Sequence, residues 1–259
     1  MSKSTFTIEE MDIKLKTNYI GTNFIFYDEI GSTNEELLKD NTITQHGSVL
    51  FADNQFKGRG RLSREWISYK DNSLTFSILL TEKLNAKTLN LINFAAAISV
   101  AEAIENLFQL DIRLKWPNDV LVVTRKVCGI LVESISKGDK IERVVVGIGV
   151  NVNQPMFEGH YNIPPTSIRK EFGKVVSRER LLAEILNEFE TNLKKVHKNP
   201  LIILDNWRMR CKMIGEKVKV QDGEKEIFGI FEDIDENGFL ILRDNKGTKK
   251  IFNGDVSLK

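Results

Sequence analysis

Residues 119–150 read DVLVVTRKVCGILVESISKGDKIERVVVGIGV, and this stretch decides the fold. Three runs rich in Val and Ile follow one another, Asp119 to Thr124, Lys126 to Ile135 and Ile141 to Val150, with the turn-prone Lys137-Gly138-Asp139 in the second gap. Serial strands with no helix between them predict an α+β protein with a mixed or antiparallel central sheet, and argue against a doubly wound one. Upstream, Leu91, Phe94, Ala95, Ile98, Ala101 and Ile104 recur at helical spacing and predict a long helix from near Lys87 to Phe108. Downstream, Leu181, Ile185, Phe189 and Leu193 predict a second, from about Arg178 to His197, and Pro200 opens a shorter one ending near Cys211. The helices are expected on one side of the sheet.

Further out, Phe24-Ile25-Phe26-Tyr27, Val49-Leu50-Phe51-Ala52 and Leu74 to Leu80 read as strands. Ser32-Thr33-Asn34-Glu35 resembles a capping box opening a short helix from Glu35 to Lys39. Residues 153–173, with Pro155, Pro164 and Pro165, read as a surface loop. From about Ile214 the pattern becomes short alternating runs, Lys217 to Val220, Glu226 to Glu232, Phe239 to Arg243 and Lys249 to Phe252, punctuated by Asp222-Gly223, Asn237-Gly238 and Asn253-Gly254. These hairpin signals predict a small SH3-like β-barrel. The expected division is 1–212 for the main domain and 213–259 for the barrel.

A chain of 259 residues is long enough for one large core and a small one. With 37 basic and 36 acidic residues the net charge is +1, which argues against a nucleic-acid binder driven by bulk phosphate attraction. Cys128 and Cys211 are the only cysteines, and His46, His160 and His197 lie far apart, so neither a disulfide framework nor zinc-ligand spacing is visible. A reduced, cytoplasmic setting is the expectation. No signal-type segment is seen, and no run is expected to reach the roughly 18 apolar residues that span a bilayer. Residues 1–20 are too few for a helix-turn-helix that reads DNA.

Chemistry concentrates in three places. Residues Gln55 to Trp66, QFKGRGRLSREW, put Lys57, Arg59, Arg61 and Arg64 with Gly58 and Gly60 between two strands. Glycine lets backbone N–H groups approach a ligand, and guanidinium grips carboxylate or phosphate bidentately, so this loop is suited to an anion. Lys115-Trp116-Pro117-Asn118-Asp119 is a stiff turn into the first quoted strand, and a hairpin brings Lys126 back beside Asp119. Gly147 and Gly149 fit neither the dinucleotide fingerprint nor the Walker A pattern, but two glycines in a buried strand mark close backbone approach by a ligand or another element. Each has a bland alternative: a solvated loop, an ordinary turn cap and hairpin charge, tight sheet packing. Their joint occurrence disfavours all three.

Together these residues resemble the biotin protein ligases, also called biotin–acetyl-CoA-carboxylase ligases. The resemblance rests on Gly31-Ser32-Thr33-Asn34, Gly58-Arg59-Gly60-Arg61 with Arg64 and Trp66, Lys115 to Asp119, Lys126 with Gly129-Ile130-Leu131-Val132-Glu133, and Gly147-x-Gly-x-Asn151, five motifs in the family's order over residues 30–153. It implies that biotin and ATP give biotinyl-5′-AMP, and that a lysine of a biotin carboxyl carrier protein or domain then takes the biotinyl group. It further implies that Ser32, Thr33 and Gln55 serve the ureido ring, while Asn34, Gly58, Arg59, Arg61, Gly129, Leu131 and Gly147 line the biotin pocket and Lys126 holds the carboxylate. Arg59, Arg61, Arg64, Trp66, Lys115, Asn118 and Asn151 would serve the nucleotide, with an exposed Trp66 stacking on adenine. Lys126, Arg61 and Asp119 are the catalytic candidates, Asp119 organising the acceptor lysine or taking its proton. Mg²⁺ would accompany ATP with no fixed protein site. No DNA-binding repressor activity is expected. Relatives often dimerise by joining sheets, so a homodimer is among the implied partners, with no nucleic acid and no membrane.

Two other readings compete. Lipoate or octanoyl transfer uses a related fold but lacks the pairing of the GRGR loop with the KWPND turn. A biotin-responsive repressor or inactive relative is disfavoured by the short N-terminus and by intact Lys126 and Arg61. The chain departs from the family's pattern at Ser63, where glycine is common, and at Cys128, where Ala or Gly is commoner.

Overall fold

The computed structural model describes residues 5–82, 84–85, 88–138 and 140–258. In chain order the elements are α1 (Ile8–Asp12), β1 (Phe24–Ile30), α2 (Thr33–Lys39), β2 (Val49–Gln55), a 3₁₀ turn (Arg61–Ser63), β3 (Ser73–Leu80), α3 (Leu89–Phe108), β4 (Ile112–Lys115), β5 (Asp119–Val122), β6 (Arg125–Lys137) and β7 (Lys140–Asn151). There follow α4 (Ile168–Phe172), α5 (Arg178–Lys198), α6 (Pro200–Arg210), β8 (Lys217–Asp222), β9 (Lys225–Ile234), β10 (Leu240–Asp244), β11 (Gly247–Ile251) and β12 (Asp255–Leu258). Seven strands form one mixed sheet in the order β1-β2-β3-β7-β6-β5-β4. Only β1 and β2 run parallel, joined through α2; the other neighbours are antiparallel. The α+β expectation therefore holds.

Alternation along β7 decides what each face does. Val144, Val146, Ile148 and Val150 enter the core beneath α3 and α5, while Val145, Gly147 and Gly149 turn to the opposite face. The three long helices lie on one side of the sheet, as expected, but α2 packs on the other, where Leu37 meets Leu50, Leu79 and Val145. The one-sided arrangement is thus corrected by a short helix whose apolar side chain closes one end of the second face. The rest of that face remains open as a cleft.

Helix α3 is apolar almost all round and is sandwiched between the sheet, α5 and α6. By length and composition it is the one helix among the described residues able to cross a membrane, contrary to the expected absence of such a run. Of that window 72% is buried inside the protein, as befits a core helix. Its expected start at Lys87, and the Asp139 end of the expected turn at 137–139, lie outside the described residues.

Five short elements had no sequence expectation: α1, the 3₁₀ turn, β4, α4 and β12. Met11 of α1 is buried against α5, and α4 interrupts the predicted loop between Ser167, whose Oγ accepts from the Lys170 N–H at 3.2 Å, and a left-handed Gly173. The C-terminal strands make a five-stranded antiparallel sheet of SH3-like barrel type, ordered β11-β10-β9-β8-β12. Its Asn237-Gly238 turn is anchored to the large domain by Trp116 Nε1 donating to the Gly238 carbonyl at 3.1 Å and Asn90 Nδ2 donating to that of Asn237 at 3.1 Å.

One carboxylate gathers the backbone of residues 18–20. Glu190 of α5 accepts from the backbone N–H groups of Asn18 (2.9 Å), Tyr19 (3.1 Å) and Ile20 (3.2 Å), and Lys194 lies 2.7 Å away. Burial alone would raise its carboxyl, but Lys194 and these N–H groups outweigh that and lower it from 4.5 to about 2. A depressed carboxylate stabilises the fold above its ordinary pKa and loses that contribution as pH falls through the folded value. Glu190→Gln is therefore expected to cost about 2–3 kcal/mol at neutral pH. Melting curves of variant and wild type should converge between pH 4.5 and about 2; a gap of equal size at both ends of that range would contradict this.

Candidate active site

The cleft floor is set by strand register. Across the sheet Thr75 pairs with Gly149, Gly149 with Gly129 and Gly129 with Asp119; one row over, Ser77 pairs with Gly147 and Gly147 with Leu131. Three positions on the exposed face thus carry no side chain, leaving a bare strip of backbone. Each vacancy has a physical user. A Cβ on Gly147 would stand 2.2 Å from Asn34 Oδ1, and one on Gly149 would stand 2.3 Å from Trp66 Cε2. A Cβ on Gly129 would stand 3.2–3.3 Å from Trp66 and the Lys126 side chain.

At one end of the strip sits a neutral polar cluster. Ser32 caps α2, which starts at Thr33, two residues before the expected Glu35. Gln55 Oε1 accepts from the Thr33 backbone N–H (2.8 Å) and hydroxyl (3.0 Å). Ser77 Oγ reaches both Thr33 Oγ1 (2.7 Å) and Asn34 Oδ1 (2.6 Å). All five of these side chains are buried, and Ser32, Thr33, Asn34 and Gln55 line one cavity with Thr75 and Leu131. Thr75 Oγ1 is buried without a hydrogen-bond partner and so retains its full bonding capacity.

At the other end lies charge. Lys126 Nζ is 2.5 Å from Asp119 Oδ1, and Lys115 Nζ is 3.7 Å from Asp119 Oδ2. Burial pushes the Lys115 ammonium below its ordinary pKa, Asp119 opposes this, and Lys126 adds to it. Burial likewise lowers Arg61, with Asp119 opposing. A second anion entering here would relieve cations that now share one carboxylate.

Residues 58–66 curl over the cleft as a tight ribbon. Trp66 N–H donates to the Gly58 carbonyl at 3.0 Å, Gly60 N–H to the Arg64 carbonyl at 2.7 Å, and Arg59 bridges Glu65. Leu62 and Ser63 both adopt left-handed φ, 53° and 58°. Ser63 thus occupies a conformation that glycine takes freely, which is the physical cost of that departure. Trp66 is half-buried with its indole laid on Gly149 and Gly129, so the expected exposed aromatic is corrected: one ring face is already covered. Its Nε1 has no hydrogen-bond partner.

Arg59, Arg61, Arg64, Asn118, Asp119, Lys126, Gly129, Leu131 and Gly147 line the same cavity of about 110 Å³ as the polar cluster. Lys115 and Asn151 line instead an adjoining groove of about 830 Å³, which shares Arg64, Trp66, Asp119 and Lys126 with it and is walled by Phe157, His160 and Tyr161. Gly58 lines neither; a Cβ there would stand 2.1 Å from the Trp66 carbonyl oxygen, so its role is to let the ribbon close on itself. The three arginines are each held by a carboxylate the sequence reading left aside. Arg59 Nη2 is 3.1 Å from Glu133 Oε2, while Arg61 and Arg64 reach over to Asp255 at the start of β12. Arg61 also donates to Asn253 and to the Gly254 carbonyl. Among the described residues no cluster of three or more His, Cys, Asp or Glu side chains is placed to hold a metal. Cys128 and Cys211 are free and buried, and burial pushes both thiols up.

Comparison with known proteins agrees with this geometry. The model of the biotin/lipoate A/B protein ligase family matches residues 28–151, and that of the biotin protein ligase C-terminal domain matches residues 213–259. The chain is 31% identical over 257 residues to the bifunctional ligase/repressor BirA of Bacillus subtilis, covering 96% of this chain and 78% of that protein. It is 35% identical over 228 residues to the biotin–[acetyl-CoA-carboxylase] ligase of Paracoccus denitrificans, covering 85% and 94%. Among solved structures, the biotin protein ligase of Aquifex aeolicus in complex with biotin and ATP superposes with a TM-score of 0.80 at 35% identity, over 92% of this chain and 99% of that one. A glycine-floored cleft, a loop of arginines and two matching family models lead to one conclusion: the chain belongs to the biotin protein ligases and is an ATP-dependent ligase.

Proposed function

We propose that the protein joins biotin to ATP as biotinyl-5′-AMP and then passes the biotinyl group to one lysine of a biotin carboxyl carrier domain. In the first step a biotin carboxylate oxygen attacks the α-phosphorus and pyrophosphate leaves with the P–O bond electrons. In the second, a neutral lysine amine attacks the acyl carbon, AMP leaves on its phosphate oxygen, and the amine's proton is lost. The observation that carries this reading is that Arg59, Arg61 and Lys126 line the same cavity as Ser32, Thr33, Asn34 and Gln55. A molecule with a neutral, hydrogen-bonding head and an acidic tail matches both ends of that cleft. Bringing its carboxylate against a phosphate crowds two anions, which fixed cations must offset.

In this reading Lys126 holds the carboxylate and then the acyl-phosphate oxygen, and Asp119 orients Lys126 and Lys115 and meets the incoming acceptor amine. The nucleotide occupies the adjoining groove beside Lys115, Asn118 and Asn151, with the uncovered face of Trp66 toward adenine. Arg61 and Arg64 exchange Asp255 for phosphate oxygens. Mg²⁺ accompanying ATP would supply charge neutralisation at the phosphates, and among the described residues no His, Cys, Asp or Glu cluster is placed to hold it. Residues 1–212 carry the chemistry and residues 213–259 brace the arginine loop, in a cytoplasmic setting where ATP and carboxylases meet. The test is exchange of labelled pyrophosphate into ATP: it should require biotin. Exchange that proceeded equally without biotin, or with lipoate in its place, would overturn the assignment.

A further inference from the structure

Glu133 stands beside the neutral end of the cleft, on the same face of β6 as Gly129 and Leu131. Its Oε2 accepts from Asn34 Nδ2 at 2.8 Å, and the Leu131 carbonyl accepts from the same nitrogen at 3.1 Å. Both Asn34 N–H bonds are therefore spent. Asn34 Oδ1 accepts from Ser77 Oγ at 2.6 Å against the vacancy at Gly147, which leaves its second lone pair as the acceptor open to the cavity. An asparagine amide can turn over with almost no change of shape, exchanging a donor for an acceptor. Here the Leu131 carbonyl and the Glu133 carboxylate together fix which way it points, and the charge-assisted bond is the stronger of the two.

We propose that Glu133 is a positioning residue for specificity, locking Asn34 so that the cleft presents an acceptor, and never a donor, to the ligand's head. The proposal rests on the reading of the cleft as the biotin site. In a ureido ring the groups that answer such an acceptor are the two N–H bonds. A ligand offering a ring oxygen at that place would set one acceptor against another, leaving a buried polar atom unpaired. The same carboxylate receives Arg59 at 3.1 Å, but that pair is part-exposed, with Arg59 at 42% and Glu133 at 27%, and contributes little. The selectivity therefore runs through Asn34.

The test compares wild type with Glu133→Met, matched in length but lacking an acceptor, and Glu133→Gln, which keeps one. Calorimetry would measure biotin and the two isosteres in which one ureido N–H is replaced by oxygen; steady-state kinetics would give the KM for ATP. Glu133→Met should raise the biotin Kd about tenfold and lower the preference for biotin over an isostere by a similar factor. The KM for ATP should not change, and Glu133→Gln should restore most of the selectivity. Unaltered selectivity in Glu133→Met, or equal loss of biotin and ATP affinity, would overturn the proposal, since loosening Arg59 or the fold cannot discriminate N–H from O. If wild type bound no biotin at all, the site reading itself would fall, a result distinct from either.

Discussion

Replacing Lys126 with alanine is expected to slow biotin-dependent pyrophosphate exchange about 10²–10³-fold, the range seen when one fixed donor to a developing anion is removed. The loss should fall mainly on the rate rather than on ATP binding, because Lys126 is 2.5 Å from Asp119 at the junction of the two cavities, whereas Lys115 lines the adjoining groove proposed for the nucleotide. The fold should survive. The Lys126 side chain is 28% exposed, and its removal leaves Asp119 beside Lys115 at 3.7 Å. Exchange at the wild-type rate in a folded Lys126→Ala protein would remove this lysine from the mechanism.

Gly58→Ala is the second large effect. The added Cβ would lie 2.1 Å from the Trp66 carbonyl oxygen and 2.7 Å from Gln55 Nε2, far inside van der Waals contact. The first of these is backbone and cannot rotate away, so the Gly58 to Trp66 hydrogen bond must break and the ribbon must open. That displaces Trp66 from the glycine floor and the arginines from the cleft together. Displacements of about 1 Å in positioned groups cost on the order of 10²-fold in rate, and a loss of that size in kcat/KM for both biotin and ATP is expected. The large domain should melt as wild type does, since the ribbon contributes little to the core. Normal kinetics in this variant would mean that the ribbon's closure is irrelevant to turnover.

Much of this was legible because it is local. Val144, Val146, Ile148 and Val150 alternate with Val145, Gly147 and Gly149, so period two alone assigns the glycines to the face opposite the core. The same rule separates Thr75 and Ser77 from Leu74, Phe76 and Ile78 in β3, a signal present in the sequence and passed over because the run is so apolar. What stayed hidden depends on distance along the chain. Asp255 meets Arg61 and Arg64 across some 190 residues, and Glu133 meets Asn34 across 99. No propensity or spacing encodes such meetings; they follow from the docking of the C-terminal sheet and from strand order. The arginines were read as grips for an anion, and that preference is met by carboxylates of the chain itself. β4 and β12 are four residues each, too short for alternation to stand out from a loop.

The most direct measurement is transfer of labelled biotin to a purified carrier domain, with and without ATP. Label should enter a single lysine only when ATP is present, and lipoate should neither compete nor be transferred. Label arriving without ATP, or lipoate transferred in place of biotin, would contradict the assignment of this cleft.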